Sequence, residues 1–420
     1  MEVDNLKSDN CGLLSSLSDD MVWEICSFLF DDELLTLRFV SRSVKARIDL
    51  ILRNKRKQQI TIGCQVDFAK LNFISRFYIN VETIAINCHS DYFYEAMFIL
   101  NQNLNLNQVV QLKLGEEVND KALQFISDLM PNLKILQLNL IIVTPDYITD
   151  FGLSRFLPRM LHLKMVHLIN IETSEFKQAF KALTSLPHLN ELILDCIDIS
   201  KNEFALILNE KASDLERLSL VCSTPLRKAS FYFQEILNRC TKLKFFSCDF
   251  RLGEIKNVKL VDIPSLTELC LSLNKCIITE CSEPLKNVKK LELCLNSSKD
   301  SQFARIISSF PAVETLSINL PPKFQDFYPM IRAIARLHRL KKIEFLAFKD
   351  VNMLIDIITS VHRCYHFEID HPLSEENFSK ILEASVEVAN KRENHIIKIK
   401  LKGKRNISCE LPANLKIIFI

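Results

Sequence analysis

The chain has 420 residues, with 53 Lys and Arg against 51 Asp and Glu, so its formal net charge is only +2. A charge this close to zero gives no field that would steer the chain to nucleic acid or to an anionic membrane surface. Hydrophobic residues make up 48% of the sequence, yet no apolar run approaches the roughly 20 residues that a membrane helix needs. The composition therefore predicts neither nucleic acid nor a membrane as a partner.

Glycine is scarce in this sequence. There are 6 glycines, whereas an average usage near 7% would give about 30 in a chain of this length. They stand singly, at positions 12, 63, 115, 152, 253 and 403. Loops that cradle phosphate groups need clustered glycines, because the backbone must approach the anion closely. The sequence therefore predicts no bound cofactor.

The 14 cysteines are expected to be free thiols. The first residues are polar and acidic and do not have the basic and apolar segments of a secretory signal. We therefore expect a reducing compartment, the cytoplasm or the nucleus or both. No C-x-x-C pair occurs, and the cluster of Cys270, Cys276 and Cys281 has neither metal-ligand spacing nor a partnering histidine motif, so we predict no metal site.

The N-terminal part of the chain divides into a tail and a helical domain. Residues 1–12 are expected to be disordered, and residues 13–57 to form three helices. The first helix lies within 17–29 and begins at a cap provided by Ser18 or Asp19. The second runs over 33–40, with Leu34, Leu37 and Phe39 pointing inward. The third runs from residue 41 or 42 to about 53.

Residues 58–420 are organised by one repeated apolar pattern. Ile60 to Ile62 is expected to form a first strand without a partner. After it, a box of the type Leu-x-x-Leu-x-Leu returns 14 times, at spacings of 19 to 32 residues. The boxes begin at Val81, Val109, Leu133, Leu163, Leu189, Leu215, Leu243, Leu266, Val288, Val313, Leu340, Cys364, Ile396 and Leu415. The end of each box has the period of a strand with one buried face, and a repeat at this spacing predicts a solenoid.

Most segments between the boxes have the 3.6-residue period of amphipathic helices. Two do not, the segments 249–264 and 274–286, and these are expected to be extended or to form single turns. The last interval, 401–415, is too short for a helix and predicts a hairpin-like cap. Together the elements predict an α/β solenoid with a curved parallel sheet of about 14 strands and a mostly helical convex side.

The three N-terminal helices resemble an F-box. The family pattern is Leu-Pro, a nearby Glu, an Ile/Leu-rich helix ending in Phe/Leu, a turn with Asp, Leu-x-x-Leu, and then Val-Ser/Cys-Arg-x-Trp. The matching residues are Leu17, Ile25, Phe28, Leu29, Asp31 or Asp32, Leu34, Leu37, Val40, Ser41 and Arg42. Asp20 stands where Glu is usual, Ser18 replaces the Pro and Val44 replaces the Trp. An F-box of about 35 residues followed by apolar repeats is similar to the F-box/leucine-rich-repeat family, whose members are substrate receptors of SCF-type cullin–RING ubiquitin ligases.

The resemblance implies that the helical domain docks the Skp adaptor and, through it, a cullin–RING ligase. The residues that it implies for this contact are Leu17, Asp20, Ile25, Leu29, Leu34, Leu37, Val40, Ser41 and Arg42. The apolar members would supply adaptor contacts, core packing or both. The alternative is a plain helical cap that shields the open end of the solenoid.

In the predicted solenoid, box positions 1, 4 and 6 face the core and positions 2, 3 and 5 face the concave surface. The one apolar neighbourhood on that surface, with two adjacent charged residues, is the candidate site for a protein substrate: Ile135, Met165, Glu191, Ile193, Arg217 and Phe245. The alternative is scattered surface apolar groups. Position 2 is lysine in six boxes, at 134, 164, 244, 289, 341 and 416. This row is typical of solvated lysines, and an acidic partner or nucleic acid is the alternative.

No catalytic residues are predicted. The nine histidines are dispersed, H-E-x-x-H does not occur, and no nucleophile–base pair can be placed. The sequence thus predicts a non-catalytic subunit that holds a protein substrate. The alternative function is a ligase-independent leucine-rich-repeat scaffold or inhibitor.

Overall fold

In the computed structural model of this chain, the described residues run from 17 to 419 with gaps. They are residues 17–29, 31–54, 58–76, 78, 80–115, 118–139, 148–170, 176–197, 201–222, 229–249, 254–256, 259–260, 262–273, 275–277, 280–281, 284–295, 303–320, 327–346, 350–370, 373–392, 396–402 and 411–419. The predicted tail, 1–12, lies outside them. The chain divides into two compact units, Met1–Leu163 and Lys164–Ile420, and the predicted boundary after residue 57 lies inside the first.

Three helices open the first unit: α1 (Asp19–Ser27), α2 (Asp31–Leu37) and α3 (Arg42–Asn54). The Ser18 hydroxyl accepts a hydrogen bond from the Met21 N–H at 3.4 Å, and two aspartates in the first turn favour the start of α1. The apolar side chains that the helices bury are Val22, Cys26, Leu34, Val44, Ile48, Ile51 and Leu52. Three helices are therefore present where the sequence predicts them.

Phe39 does not occupy its predicted place. The sequence puts it inside the second helix and facing inward, but α2 ends at Leu37 and Phe39 lies in the following turn. Its N–H donates to the carbonyl of Thr36 at 3.1 Å, and its side chain is 84% exposed. The assignment of Phe39 to the core was wrong because α2 ends at Leu37. Phe39 therefore does not follow the helical period that would turn its side chain inward.

Four parallel strands follow in the first unit: β1 (Gln58–Ile62), β2 (Val81–Ile86), β3 (Gln111–Leu114) and β4 (Ile135–Asn139). The helices of this part are α4 (Phe68–Ser75), α5 (Ser90–Asn103), α6 (Asp120–Leu129) and α7 (Asp150–Phe156). β1 was expected to have no partner, but it pairs in parallel with β2, and Ile60 and Ile62 lie opposite Ile84 and Ile86. That expectation was wrong because β1 shares the core of the boxes: Ile60 and Ile62 are both buried.

The second unit continues the alternation of strands and return segments. Its strands are β5 (Met165–Ile169), β6 (Glu191–Ile197), β7 (Arg217–Cys222), β8 (Phe245–Asp249), β9 (Glu254–Lys256), β10 (Lys259–Leu260), β11 (Glu268–Leu273), β12 (Lys275–Ile277), β13 (Glu280–Cys281), β14 (Lys290–Leu295), β15 (Thr315–Asn319), β16 (Lys342–Leu346), β17 (His366–Asp370), β18 (Ile397–Leu401) and β19 (Leu415–Phe419). Its helices are α8 (Lys177–Thr184), α9 (Lys201–Lys211), α10 (Ala229–Arg239), α11 (Phe303–Ser308), α12 (Phe327–Ala335), α13 (Val351–Ser360) and α14 (Glu375–Lys391).

The boxes build the core of both units. Leu189, Leu192 and Leu194 are each 1% exposed, and in the neighbouring strands Val166 and Leu218 lie opposite Leu192. The same three box positions are buried in every box from Val81 to Cys364. The parallel series contains 15 strands, one more than the boxes, because β1 precedes the first box.

The described parts of the two return segments without helical period include short extended strands, as predicted. β9 pairs in parallel with β12, and β10 with β13. The other returns of the second unit as far as β18 contain α8 to α14. A parallel strand built from an apolar box and followed by a mostly helical return is the leucine-rich-repeat pattern. Both units therefore have the α/β leucine-rich-repeat fold.

The C-terminal boxes differ from their predicted register. Ile397 is buried and Ile396 is 59% exposed, whereas the sequence assigns Ile396 to the core. In β19, Ile417 lies opposite Ile399, so the predicted core residue Ile418 falls on the other face. A shift of one residue exchanges the two faces of a strand. The strands β18 and β19 are parallel, and residues 403–410, which make up most of the interval predicted as a hairpin-like cap, lie outside the described residues.

Phe246→Ala tests the division of each strand into a core face and an open face. Phe246 is fully buried, 5.6 Å from the ring of Phe233 between centroids, so its truncation should lower the free energy of unfolding by about 3–5 kcal/mol. Phe245→Ala is the matched control, since the same change falls one residue away on the half-buried face and should cost much less. Urea unfolding followed by circular dichroism measures both. Equal losses would contradict the assigned faces.

Candidate functional site

The helical segment α1–α3 carries large apolar side chains on its outside. Phe28, at the end of α1, is 80% exposed, which is close to the exposure of Phe39. Five further apolar side chains of the segment are more than 40% exposed: Met21, Trp23, Ile25, Val40 and Leu50. Single exposed apolar groups are normal, but their concentration in one short segment is typical of an interaction surface.

The adaptor-docking residues predicted from the sequence differ in exposure. Four are exposed: Asp20, Ile25, Val40 and Arg42. Four are half-buried: Leu17, Leu29, Leu37 and Ser41. Leu34 has no exposed surface, so its role is core packing. The predicted set omitted Phe39, which the helical spacing assigned to the core, and Phe28, although Phe28 matches the family pattern.

Buried and half-buried charges hold the segment together. Arg38 is only 5% exposed and forms an ion pair with Asp49 of α3. Its guanidinium also lies over the ring of Phe73 in α4, 4.5 Å from the centroid. Arg47 donates to the carbonyl of Leu17 at 2.8 Å and pairs with Asp19 at 3.0 Å. These contacts hold α1 and α2 against α3, so the exposed Phe28 and Phe39 lie on helices whose relative positions are fixed by ion pairs and hydrogen bonds.

The second candidate surface lies on the strands of the second unit. We call it the open face: the side of the sheet that carries box positions 3 and 5, most of which are half-buried, whereas positions 4 and 6 are buried in the boxes up to β18. Met165, Glu191, Arg217 and Phe245 occupy position 3 of four successive strands, each opposite the next. Ile193 lies at position 5 of β6. The sequence-based substrate site thus assembles within this unit, except for Ile135, which is half-buried on β4 of the first unit.

Arg217 and Phe245 form a stacked pair on the open face. The guanidinium carbon of Arg217 lies 3.7 Å from the centroid of the Phe245 ring. A cation over an aromatic ring is attracted to its face. The stack holds the Arg217 side chain in place, with Glu191 on the neighbouring strand and Met165 one strand further.

A network of charges occupies the C-terminal part of the open face. Lys342 Nζ lies 2.8 Å from a carboxylate oxygen of Glu368 and also pairs with Glu344. Lys400 Nζ lies 3.6 Å from Glu368, and the Ser317 hydroxyl donates to Glu344. The residues belong to neighbouring strands. Most of these residues were predicted to face the concave surface. The network itself was not predicted, because its ion pairs to Glu368 join residues that are one repeat apart in the sequence.

Burial and pairing shift the pKa values in this network. Burial pushes the pKa of Glu344 upward, but hydrogen bonds from Lys342 and Ser317 outweigh it and hold this pKa below 4.5. Burial lowers the pKa of Lys342, but hydrogen bonds to Glu344 and Glu368 outweigh it and raise this pKa above 10.5. Burial and the nearby Lys342 and Lys400 lower the pKa of His366 below 6.5. The network is therefore charged at neutral pH, with a neutral imidazole beside it.

The lysines at box position 2 form ion pairs where the structure gives their partners. Lys244 lies 2.6 Å from Glu216, and Lys341 lies 2.6 Å from Glu314. Both glutamates occupy position 2 of the preceding box. These two cations are therefore balanced within the sheet rather than left for an acidic ligand.

Two thiols on the open face are poor nucleophiles. Burial, then the nearby Glu292, raises the pKa of Cys270 to about 12 and that of Cys294 to about 11. A thiol reacts and binds metal as the thiolate, so both groups are protonated and inert at neutral pH. Across the described ranges, no cluster of three or more His, Cys, Asp or Glu side chains is arranged to hold a metal ion. None of the described helices combines the length and apolar character required to cross a bilayer.

No protein-family model and no curated protein matches this sequence. Among solved structures, the chain is similar to the crystal structure of the Rad7 and Elc1 complex in yeast. The sequence identity is 12%, the match covers 96% of this chain and 92% of that chain, and the TM-score is 0.46. It is also similar to the leucine-rich-repeat-containing protein LegL7 from Legionella pneumophila, with 14% identity, 78% and 97% of the two chains covered and a TM-score of 0.40. At these identities the likeness concerns the fold alone.

Lys342→Met tests the charge network. Because the pKa of Glu344 is lowered in the folded chain, its pairing stabilises the fold above pH 4.5, and this contribution is lost as the pH falls through the folded pKa. The variant should lose about 1–3 kcal/mol at pH 7, and the difference from wild type should shrink as the pH falls below 4.5 and through the lowered pKa of Glu344. Lys398→Met, an exposed lysine on β18, is the control and should change little. Thermal unfolding at several pH values measures this, and a loss that does not depend on pH would contradict it.

Proposed function

We propose that this chain is a non-catalytic protein-binding scaffold and, more specifically, the substrate-recognition subunit of an SCF-type ubiquitin ligase. The observation that carries the proposal is the exposure of Phe28, Phe39 and Val40 on a helical segment whose own core is already filled by Leu34, Val44 and Ile48. Apolar groups that the fold does not use are available to another protein.

The adaptor-docking half of the proposal rests on the helical segment. Its residues resemble an F-box, and the resemblance implies the Skp adaptor as the partner. Ile25, Val40, Phe28 and Phe39 are exposed and can be buried in an interface, while Arg38 and Arg47 keep the helices in place. Burying one such side chain contributes roughly 1.5–3 kcal/mol, so a few of them can carry a stable contact.

The substrate-binding half rests on the open face. Arginine and aromatic residues are enriched at the positions that dominate binding energies in protein interfaces. Arg217 stacked on Phe245, with Met165 and Ile193 beside them, offers such a group. In this proposal the chain supplies proximity: it holds a protein substrate near the conjugating enzyme and so raises the effective concentration of the reacting lysine.

The proposal assigns the ubiquitin chemistry to other subunits. The raised pKa values of Cys270 and Cys294 fit a surface that binds rather than reacts. The cytoplasm and the nucleus are the proposed compartments, since free cysteines such as Cys64, Cys240 and Cys270 persist where thiols stay reduced.

A second candidate is a ligase-independent leucine-rich-repeat scaffold or inhibitor, with α1–α3 as a cap. The contact of Arg38 with Phe73 favours it, because this contact joins the helical segment to α4 at the start of the repeats. Terminal caps of this kind are needed by repeat proteins. The two functions differ in whether the segment binds an adaptor.

Phe39→Asp is the first test of the proposal. The side chain is 84% exposed, so the fold should tolerate the charge, whereas a carboxylate in an apolar interface costs enough to weaken adaptor binding at least tenfold. Tyr328→Asp on α12, an aromatic that is 70% exposed in the second unit, is the matched control. Isothermal titration with purified Skp adaptor measures binding. No binding by wild type at low salt would favour the cap function instead.

Arg217→Glu tests the open face separately. With degradation blocked, the variant should co-purify the adaptor as wild type does but lose substrate proteins, since the reversed charge breaks the stack on Phe245. Arg332→Glu, on the exposed side of α12, is the control. Quantitative mass spectrometry of the bound proteins measures both. Identical substrate sets for wild type and Arg217→Glu would place substrate binding elsewhere.

A further inference from the structure

The outer edge of β1 has no strand partner among the residues that the structure describes. β1 pairs with β2 on one side only and stands first in the strand order of the first unit. Exposed edges of sheets are usually blunted with lysine, proline or a bulge, because unpaired peptide groups attract another strand. The residues of β1, Gln-Gln-Ile-Thr-Ile, include no lysine and no proline, and its one irregularity lies at the start, between Gln58 and Gln59. From Gln59 onward, the edge of β1 therefore carries none of the features that usually prevent another strand from pairing with it.

The hydrogen bonds of β2 show which peptide groups of β1 point outward. The Asn87 N–H donates to the carbonyl of Ile62 at 2.8 Å, so Ile62 is directed toward β2. Peptide groups of successive residues in a strand point to opposite edges. Ile60 is therefore also directed toward β2, and Gln59, Thr61 and Gly63 direct their N–H and carbonyl groups to the outer edge.

A cavity of about 670 Å³ lies along this edge. Five consecutive residues, from Gln59 to Gly63, line it, and so do residues from both sides of the strand. The apolar part of its wall is formed by Leu29, Val66, Leu71, Ile74 and Tyr78. The side chains of Gln59 and Thr61, which are exposed, line it as well. The cavity thus combines outward peptide groups of β1 with apolar lining residues and with polar and charged ones, among them Gln65, Asp67 and Lys70.

We infer that this groove binds an extended peptide of another protein, which adds to β1 as a further strand. Strand addition uses main-chain hydrogen bonds for affinity and alternate side-chain pockets for specificity. The peptide would place every second side chain, apolar and preferably β-branched, against Leu29, Leu71 and Ile74. Its intervening side chains would be polar and lie beside Gln59 and Thr61. A small apolar ligand fits less well, because it leaves the outward peptide groups of the edge without partners.

This site differs from both surfaces of the proposed function, although Leu29, which the F-box resemblance assigns to the adaptor contact, also lines the groove. It uses the backbone of β1, whereas adaptor docking uses exposed side chains of α1–α3 and substrate binding uses the open face of the second unit. Phe39→Asp and Arg217→Glu should therefore leave peptide binding unchanged, so the two ideas can fail independently.

Thr61→Pro tests the inference on the full chain. Proline removes the outward N–H of residue 61 and spares the bonds to β2, and edge strands tolerate proline at such positions. The probe is a library of random linear heptapeptides displayed on phage and selected on wild type. We expect selected peptides with apolar residues at every second position. A synthetic copy should bind Thr61→Pro at least tenfold more weakly than wild type, and Thr61→Ala, which keeps the N–H, within about threefold of wild type.

Two further measurements complete the test. Every second amide of the synthetic peptide can be N-methylated in two ways, starting from its first or its second residue. One of these two methylated peptides should bind at least tenfold more weakly than the unmethylated peptide. Hydrogen exchange of the Thr61 amide should be fast in the free chain and slow with peptide bound. The inference is overturned if no peptide with a two-residue period is selected, if Thr61→Pro binds like wild type while circular dichroism shows it folded, or if the Thr61 amide is already protected in the free chain. Binding of an apolar dye in the groove without peptide binding would assign it to a small ligand.

Discussion

The fold depends on the burial of three apolar side chains per box between the strands and their return segments. Leu189, Leu192 and Leu194 show the pattern: each is almost fully buried, and each is covered only if the neighbouring boxes are present. A single strand with its helix cannot bury this surface alone, so each repeat is stabilised by its neighbours. Because the core uses positions 1, 4 and 6, the side chains at positions 2, 3 and 5 can differ between boxes without removing apolar surface from the core.

Parallel register turns one-repeat separations in sequence into direct contacts. Neighbouring strands lie about 4.8 Å apart, so residues at equal box positions meet. Arg217 stacks on Phe245 in this way, Lys244 pairs with Glu216, and Lys341 pairs with Glu314. The contacts on the open face therefore join side chains of neighbouring strands. A motif search along the chain does not find them, because the partners are one repeat apart in the sequence. The N-terminal helices differ, because their exposed groups come from one continuous segment.

Much of this architecture could be predicted from the sequence, because the box period fixes which residues are core. Three features could not. Phe39 continues an apolar pattern, yet the helix ends before it and leaves it outside. β19 carries apolar residues at both Ile417 and Ile418, so its sequence permits two registers and only pairing with β18 selects one. The pKa shifts around Lys342 follow from partial burial, which no local pattern encodes.

The start of the strand series bears on the proposed role of the N-terminal helices. A segment that served only as a cap would cover the outer edge of β1 and bury its own apolar residues against it. Instead, Leu29 stands at the wall of a groove that runs beside β1, while Phe28, its neighbour, is 80% exposed. The helices therefore leave two apolar surfaces open, one along the edge strand and one on their own outside. A cap alone gives no reason for these two surfaces, whereas the proposed subunit would use them to contact other proteins.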